Sequence, residues 1–472
     1  MLMKMIVIGA YAALTLLIGY LGLKKARTFN DYFLGGRTVG PWMSAFTYAA
    51  AYFSAVLFIG FAGKVGWGFG LSGLWIALAN SLVGVLGVWA LLGNRIRRMS
   101  VELQVTTMPE FLEKRYDSRF LKLVASLAVF VFLVPYSAAV FIGLSYLFKA
   151  NFGLTYGVAL LFMGLFTAFY LVLGGYKSMT MIDVVFGLIM CLGSAILIGS
   201  TLQKSGGMGK LLAGLATIDP RLTGAVGPGG AWPLFALVFL TSVAPFGMPQ
   251  LVQKFYAIKD ERAIRRGMIA STAFAALIAG AAYFSGAAAR LFLTPESAPE
   301  AFAGGKPVFD VMMPEFLANV IPPSLSIVMM LLILAASMST LAALVLISSS
   351  SVVKDLYAGF VNPAVTDRTL TRMMRVMSAV FVLLSVVLAY LRPATIVAIL
   401  SVSWGAIGSF FLGPFVWGLI SRKVTKFGAI GSAILGLGTC LGLSLSGMAP
   451  AEAGTIGMLV SFASNPLLSL VR

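Results

Sequence analysis

Thirteen runs of about 20 apolar residues, each long enough to cross a hydrocarbon core of roughly 30 Å, constrain this chain more than any single motif does. They lie near 5–23, 41–65, 70–92, 120–148, 153–174, 181–202, 231–252, 266–292, 323–353, 373–391, 394–420, 425–447 and 453–471. Lipid offers no partner to a backbone N–H or C=O, so each run must satisfy its own amides as a helix. The predicted fold class is an all-α polytopic membrane protein. Composition agrees, with 60% hydrophobic and 11% charged residues, whereas soluble domains carry about 25% charged residues. There is no histidine, and Cys191 and Cys440 both sit within apolar runs. That leaves out the commonest zinc ligand, the usual neutral-pH proton relay and a disulfide framework.

A net charge of +18 would point to nucleic acid in a soluble chain. Here 25 of the 34 lysines and arginines fall in every second connection, the positive-inside pattern of a membrane protein, and no nucleic-acid partner is expected. The first run is followed by Lys24, Lys25 and Arg27 instead of being preceded by them, so it reads as an inserted helix and not as a cleaved signal peptide. The predicted orientation in the inner cell membrane has the N-terminus outside and the C-terminus in the cytoplasm. Segments 203–230 and 293–322 read as external loops rich in Gly and Pro. Gly206-Gly207-Met208-Gly209-Lys210 is only superficially a phosphate loop, because no strand precedes it. A membrane-integrated enzyme is disfavoured by the lack of a nucleophile constellation, and a sensor by the lack of a signalling domain. The bundle, residues 1–472, is expected to be the functional unit in the lipid bilayer, with no obligatory protein partner.

Polar residues inside the apolar runs carry the functional reading. In the ninth run, Ala335-Ala336-Ser337-Met338-Ser339-Thr340-Leu341 places hydroxyls where lipid cannot bond them. Ser339 and Thr340, with a nearby carbonyl, would present hard oxygens to one small cation; alternatively the small residues let two helices approach closely. The seventh run contains Pro245, Gly247 and Pro249 within a few residues, which frees backbone groups at mid-depth. The second mixes small and polar residues over Ala49-Ala50-Ala51-Tyr52-Phe53-Ser54. Runs two and seven lie five apart, so repeats starting at each are inverted relative to one another. Paired interrupted helices in an inverted repeat are the pattern of a secondary transporter with a midplane site.

The chain resembles the sodium:solute symporters. The resemblance runs through Phe29-Asn30-Asp31-Tyr32-Phe33-Leu34-Gly35-Gly36-Arg37, Phe58-Ile59-Gly60-Phe61-Ala62-Gly63, Gly174-Gly175-Tyr176-Lys177 with Ile182-Asp183, Gly247-Met248-Pro249-Gln250, Ala336 to Leu341, and Arg422 to Ala429. It implies a LeuT-like five-plus-five inverted repeat, 41–202 and 231–420, with an extra N-terminal helix and loop (1–40) and two C-terminal helices (421–472). It implies Na+ as the coupling ion, held by main-chain oxygens of Ala50, Phe53 and Ala336 and the hydroxyls of Ser339 and Thr340. Asp183 falls beside the sodium release route, with pairing to Lys177 as the alternative role. The implied solute pocket draws on Tyr52, Phe53, Ser54, Tyr136, Thr241, Ser242, Ser403 and Trp404.

Proline carriers of the family resemble this chain around Tyr136, but have an aromatic pair where Thr241 and Pro245 stand, and an acidic residue at Tyr52. No arginine lies at mid-depth in runs two, four or seven, and Lys64 is placed to snorkel to the interface. The expectation is sodium-coupled uptake, by alternating access, of a small neutral or zwitterionic, amino-acid-like solute. Proton coupling through Asp183, or a vitamin, short carboxylate or sugar as cargo, are the alternatives.

Overall fold

The computed structural model describes residues 2–25, 29–173 and 176–471. Arg27 and Gly174-Gly175 lie outside them, and so do the side chains of Lys24, Lys25, Asn30 and Lys177. Over the described residues, all thirteen apolar runs fall on helices. In chain order the principal ones are α1 (Leu2–Lys25), α2 (Pro41–Tyr52), α3 (56–69), α4 (70–102), α5 (Arg119–Phe152), α6 (Tyr156–Leu173), α7 (Tyr176–Ser205), α8 (Ala231–Val243) and α9 (Pro249–Ala257). They continue with α10 (Glu261–Phe292), α11 (Phe309–Val320), α12 (Ser326–Val361), α13 (Asp367–Leu391), α14 (Ile396–Ile420), α15 (Lys426–Leu445) and α16 (Pro450–Leu468). By length and hydropathy, nine of the described helices can cross a membrane, or ten when the bent pair α8–α9 is taken as one span. Val56–Glu102 is one of the nine. At 1.5 Å per residue it would stretch about 70 Å if straight, more than twice a bilayer core. Gly70, with φ +60°, breaks it into α3 and α4.

Burial sorts centre from periphery. The most apolar window of α12 is 94% buried, whereas that of α1 is 17% buried and faces outward. Around α12 pack α7, α5, α13 and α2. Backbones come together where glycine allows it: a Cβ on Gly66 of α3 would lie 2.0 Å from the Gly286 carbonyl carbon of α10, and one on Gly405 of α14 would lie 2.8 Å from Gly454 Cα of α16. Such small-residue crossings replace the hydrophobic driving force that lipid cannot supply.

Both predicted interruptions are present. α2 stops at Tyr52, Phe53 is extended (φ −110°, ψ 136°), and the helix resumes after Ser54. α8 runs through a tight turn at Ala244–Gly247, Met248 is extended, and α9 leaves at 43° with Pro249 in its first turn. Segments 203–230 and 293–322 are not plain loops. The first holds a helix at Met208–Ile218; the second holds a two-stranded hairpin pairing Phe302–Ala303 with Lys306–Pro307, and then α11. Phe309, Met312, Met313, Phe316 and Val320 are spaced as one helical face, which composition alone obscured.

Candidate functional site

The break in the α2–α3 span sets up the first cluster. Ala51 O would accept from Ala55 N in an unbroken helix, but that N–H donates to Ser337 Oγ of α12 at 2.9 Å. Ser337 in turn donates to Ile333 O at 2.6 Å. The carbonyls at the break gather round a hydroxyl three residues further along α12. Thr340 Oγ1 lies 3.1 Å from Ala336 O, 3.2 Å from Phe53 O, 3.3 Å from Ala51 O and 3.4 Å from Ala50 O. One hydroxyl proton serves at most one or two of four acceptors, in a place from which water is excluded. Lone pairs in surplus around one hydroxyl are what a bare cation needs. Ala50, Phe53, Ala336 and Thr340 therefore converge as the resemblance implied, and Ala51, absent from that set, joins them.

Ser339 faces the other way round the helix, beside the Asp183 carboxyl of α7. Its hydroxyl and Asp183 Oδ1 are both buried, and apart from one another neither has a hydrogen-bond partner. Asp183 Oδ2 accepts from the Thr47 hydroxyl of α2, and Thr47 Oγ1 accepts from Lys254 Nζ of α9 at 3.4 Å. Lys254 is 1% exposed and also lies over the Tyr176 ring, 5.1 Å from its centroid. Lys254 thus belongs to the core, unlike the exposed basic residues Lys259, Arg262, Arg265 and Arg266 that follow it in sequence. A fully buried ammonium beside a fully buried carboxylate keeps the dry interior near neutrality. It also gives Asp183 a described cationic neighbour other than Lys177.

A cavity of about 30 Å³, room for a water or two, opens on the other side of the break. Tyr52, Phe53, Ser54, Tyr136, Thr241 and Trp404 line it, joined by Asn80, Tyr283, Phe61 and Leu400. Tyr52 stacks on Trp404 at 5.8 Å, Tyr136 meets the same indole edge-on at 5.7 Å, and the Tyr52 hydroxyl donates to Thr241 O at 2.5 Å. Ser242 stands behind the wall, donating to Asn80 Oδ1 at 3.0 Å, and Ser403 is turned to Phe132 O. Asn80 was legible as a lone amide in an apolar run; Tyr283 carried no such mark. No charged side chain lines the cavity. Phe53 belongs to both sites, with its carbonyl in the oxygen cluster and its ring in the cavity wall.

At the Arg37 end the molecule is sealed. Val39 pairs with the strand-like end of α9, Val39 N donating to Ala257 O and Lys259 N to Val39 O, each at 3.1 Å. Arg37 ties that pairing to the end of α4 and the segment after it, donating to Val105 O at 2.6 Å and Ser100 Oγ at 2.9 Å.

With this geometry in view, the sodium:solute symporter family model matches residues 32–436. The chain belongs to that family. Sodium is accordingly its coupling ion, and the protein is a membrane transporter and not an enzyme. Among relatives of this symporter, a sodium/pantothenate symporter of Escherichia coli K12 is 30% identical over 440 residues, covering 90% of this chain and 87% of the relative. The high-affinity proline transporter PutP of Bacillus subtilis 168 is 28% identical over 440 residues, covering 90% and 89%. A Na+-coupled sialic acid symporter in a substrate-bound, outward-open state shares the fold with a TM-score of 0.84 at 19% identity, over 99% of this chain and 97% of that one. Mhp1, a nucleobase-cation-symport-1 family transporter, does so at 0.55 and 14% identity, over 92% and 93%. The fold is thus the LeuT-like one, as the family resemblance implied.

Proposed function

We propose that this symporter binds sodium at the oxygens of Ala50, Phe53, Ala336 and Thr340, with Ala51 and Ser339 at its margin, and carries a small amino-acid-like solute in the adjoining cavity. The observation that carries the ion site is the single Thr340 hydroxyl among four main-chain carbonyls. The solute class rests on an aromatic and hydroxyl lining without charged groups, and on relatives whose names are those of proline and pantothenate carriers. Asp183, reached through Ser339, stands on the ion's way out, with Lys254 as its resident counter-charge. Phe53 spans both sites, so occupancy of one stiffens the wall of the other, which is the physical content of coupling. The alternation of basic connections supports an outside N-terminus, a cytoplasmic C-terminus and a cytoplasmic Arg37 seal. It also suits inverted repeats at 41–202 and 231–420.

Thermal unfolding of the purified protein with proline, pantothenate, sugars and short carboxylates, each with and without sodium, tests the reading. The cargo should raise the melting temperature only when sodium is present, because linked ligands stabilise together. A solute that stabilises equally in sodium-free buffer would overturn the coupling site proposed here, and stabilisation by a sugar alone would overturn the solute class.

A further inference from the structure

α1 is the least buried of the nine helices long enough to span, and it is held to the bundle along only part of its length. It packs on α6, α7 and α12, and Tyr11 stacks on Phe186 of α7 at 5.4 Å. Before Tyr11 no described residue of α1 is buried. There, at the end of the molecule opposite the Arg37 seal, α1 stands off from α5, α11 and α12 around a cavity of about 230 Å³. The floor is apolar, made by Leu147 of α5, Leu317 and Ile321 of α11, and Met329 and Met330 of α12. The rim, at Ala150, Ala318 and Pro323, is exposed.

One cation stands at this opening. Lys4 of α1 is partly buried and donates to the neutral amide of Asn151 at 3.0 Å through Oδ1. Among the described residues no carboxylate lies within ion-pair distance of it. Other cations toward this end are compensated: Lys149 pairs with Glu300 at 3.0 Å, Arg290 lies over the Trp67 ring and Arg392 over that of Tyr156. An ammonium drawn partly out of water at the edge of a membrane protein calls for an anion.

We propose that this cavity is a binding site for an anionic phospholipid, with the phosphate on Lys4 Nζ and an acyl chain along the floor of α5, α11 and α12. Leucine, isoleucine and methionine side chains reward an acyl chain and give a free phosphate nothing. No Asp or Glu lines the cavity, so the ammonium of an ethanolamine headgroup has no partner there. A glycerol hydroxyl, by contrast, can donate to Asn151 Oδ1 once the phosphate takes Lys4. Lys4 also lies in the first turn of a 24-residue helix, about 36 Å long, which puts it beyond a hydrocarbon core of roughly 30 Å and at headgroup level. On the orientation given under Proposed function, that is the outer leaflet. The lipid fills the gap and ties α1 to α11 and α12, so the stability of the carrier follows the anionic lipid around it.

Phosphatidylglycerol added to the full chain in dodecyl maltoside is the probe, with phosphatidylethanolamine and inorganic phosphate as comparisons, read by native mass spectrometry and by melting temperature. One phosphatidylglycerol should stay on the parent and raise its melting temperature. Lys4→Gln should weaken that binding about fivefold, the effect of one cation near a headgroup, and Lys4→Arg should keep it. Ala318→Trp, which fills the cavity from its exposed rim, should remove it. Native spectra count lipid on folded protein only, so a less stable variant still reports. Equal binding by the parent, Lys4→Gln and Ala318→Trp would overturn the site. Phosphatidylethanolamine held as tightly as phosphatidylglycerol would overturn the anionic headgroup, and equal stabilisation by inorganic phosphate would overturn the lipid.

Discussion

Thr340 is the residue on which the ion assignment turns. Removing its hydroxyl deletes a ligand from a cluster otherwise made of carbonyls, and a polar contact to a charged group is worth about 1.5–3 kcal/mol. Thr340→Ala should weaken sodium activation of uptake tenfold or more, while Thr340→Ser, which keeps the oxygen, should stay within a few-fold of the parent. Sodium titrations of initial uptake rates in vesicles decide it. Lys254 and Asp183 make a second test. Lys254→Met strands a carboxylate in a dry interior, where breaking a buried pair costs about 3–5 kcal/mol, so that variant should lose thermal stability. Adding Asp183→Asn should restore most of the stability without restoring transport, because the carboxylate proposed to stand on the ion's way out is then gone. Equal stability of Lys254→Met and the parent would show that the two groups do not compensate one another.

At the scale of elements, what was legible in the sequence was whatever a local rule decides. Pro245, Gly247 and Pro249 announce the bend between α8 and α9, and the hydroxyls of Ser339 and Thr340 announce a polar spot on α12. The main-chain oxygens proposed as ligands at Ala50 and Phe53 came only through the family resemblance, since a carbonyl leaves no mark on residue type. Burial of Lys254 was hidden because its neighbours in sequence are exposed basic residues, and only the turn of α9 toward α2 reveals it. Tyr283 and the backward-facing Ser242 and Ser403 depend on how each helix is rotated, which tertiary packing settles. The same packing predicts a sharp intolerance: Gly66→Val puts a branched side chain where Gly286 backbone already sits, 2.0 Å from the first added carbon. It should abolish well-folded protein, measured as the monodisperse fraction after extraction, whereas Gly68→Ala, with nothing within 4 Å, should be neutral.

For the molecule as a whole, the Arg37 end is closed by main-chain pairing and a guanidinium, and the other end by α11. The cavity between them is too small for an organic solute, so binding has to push its walls apart from this state. Arg37→Ala removes the bonds to Ser100, Val105 and Tyr256 O and leaves the Val39 pairing together with the bond from Arg97 to Ile258 O at 2.9 Å and that from Gln253 to Phe33 O at 3.1 Å. On the orientation proposed above, it should shift the resting population toward the inward-open form, seen as faster efflux from preloaded vesicles relative to uptake than in the parent. An unchanged ratio would mean that the remaining bonds hold the seal without Arg37.

The oxygens around Thr340 are almost all main-chain, and this separates the engine from the cargo hold. A backbone carbonyl is the same in every residue, so the side chain at Phe53 can be exchanged while the oxygen proposed to hold sodium stays in place. Varying Phe53, Asn80, Leu400 and Tyr283 together would then retune what is carried and leave the energy source untouched. A carrier built this way can change its diet without changing its fuel.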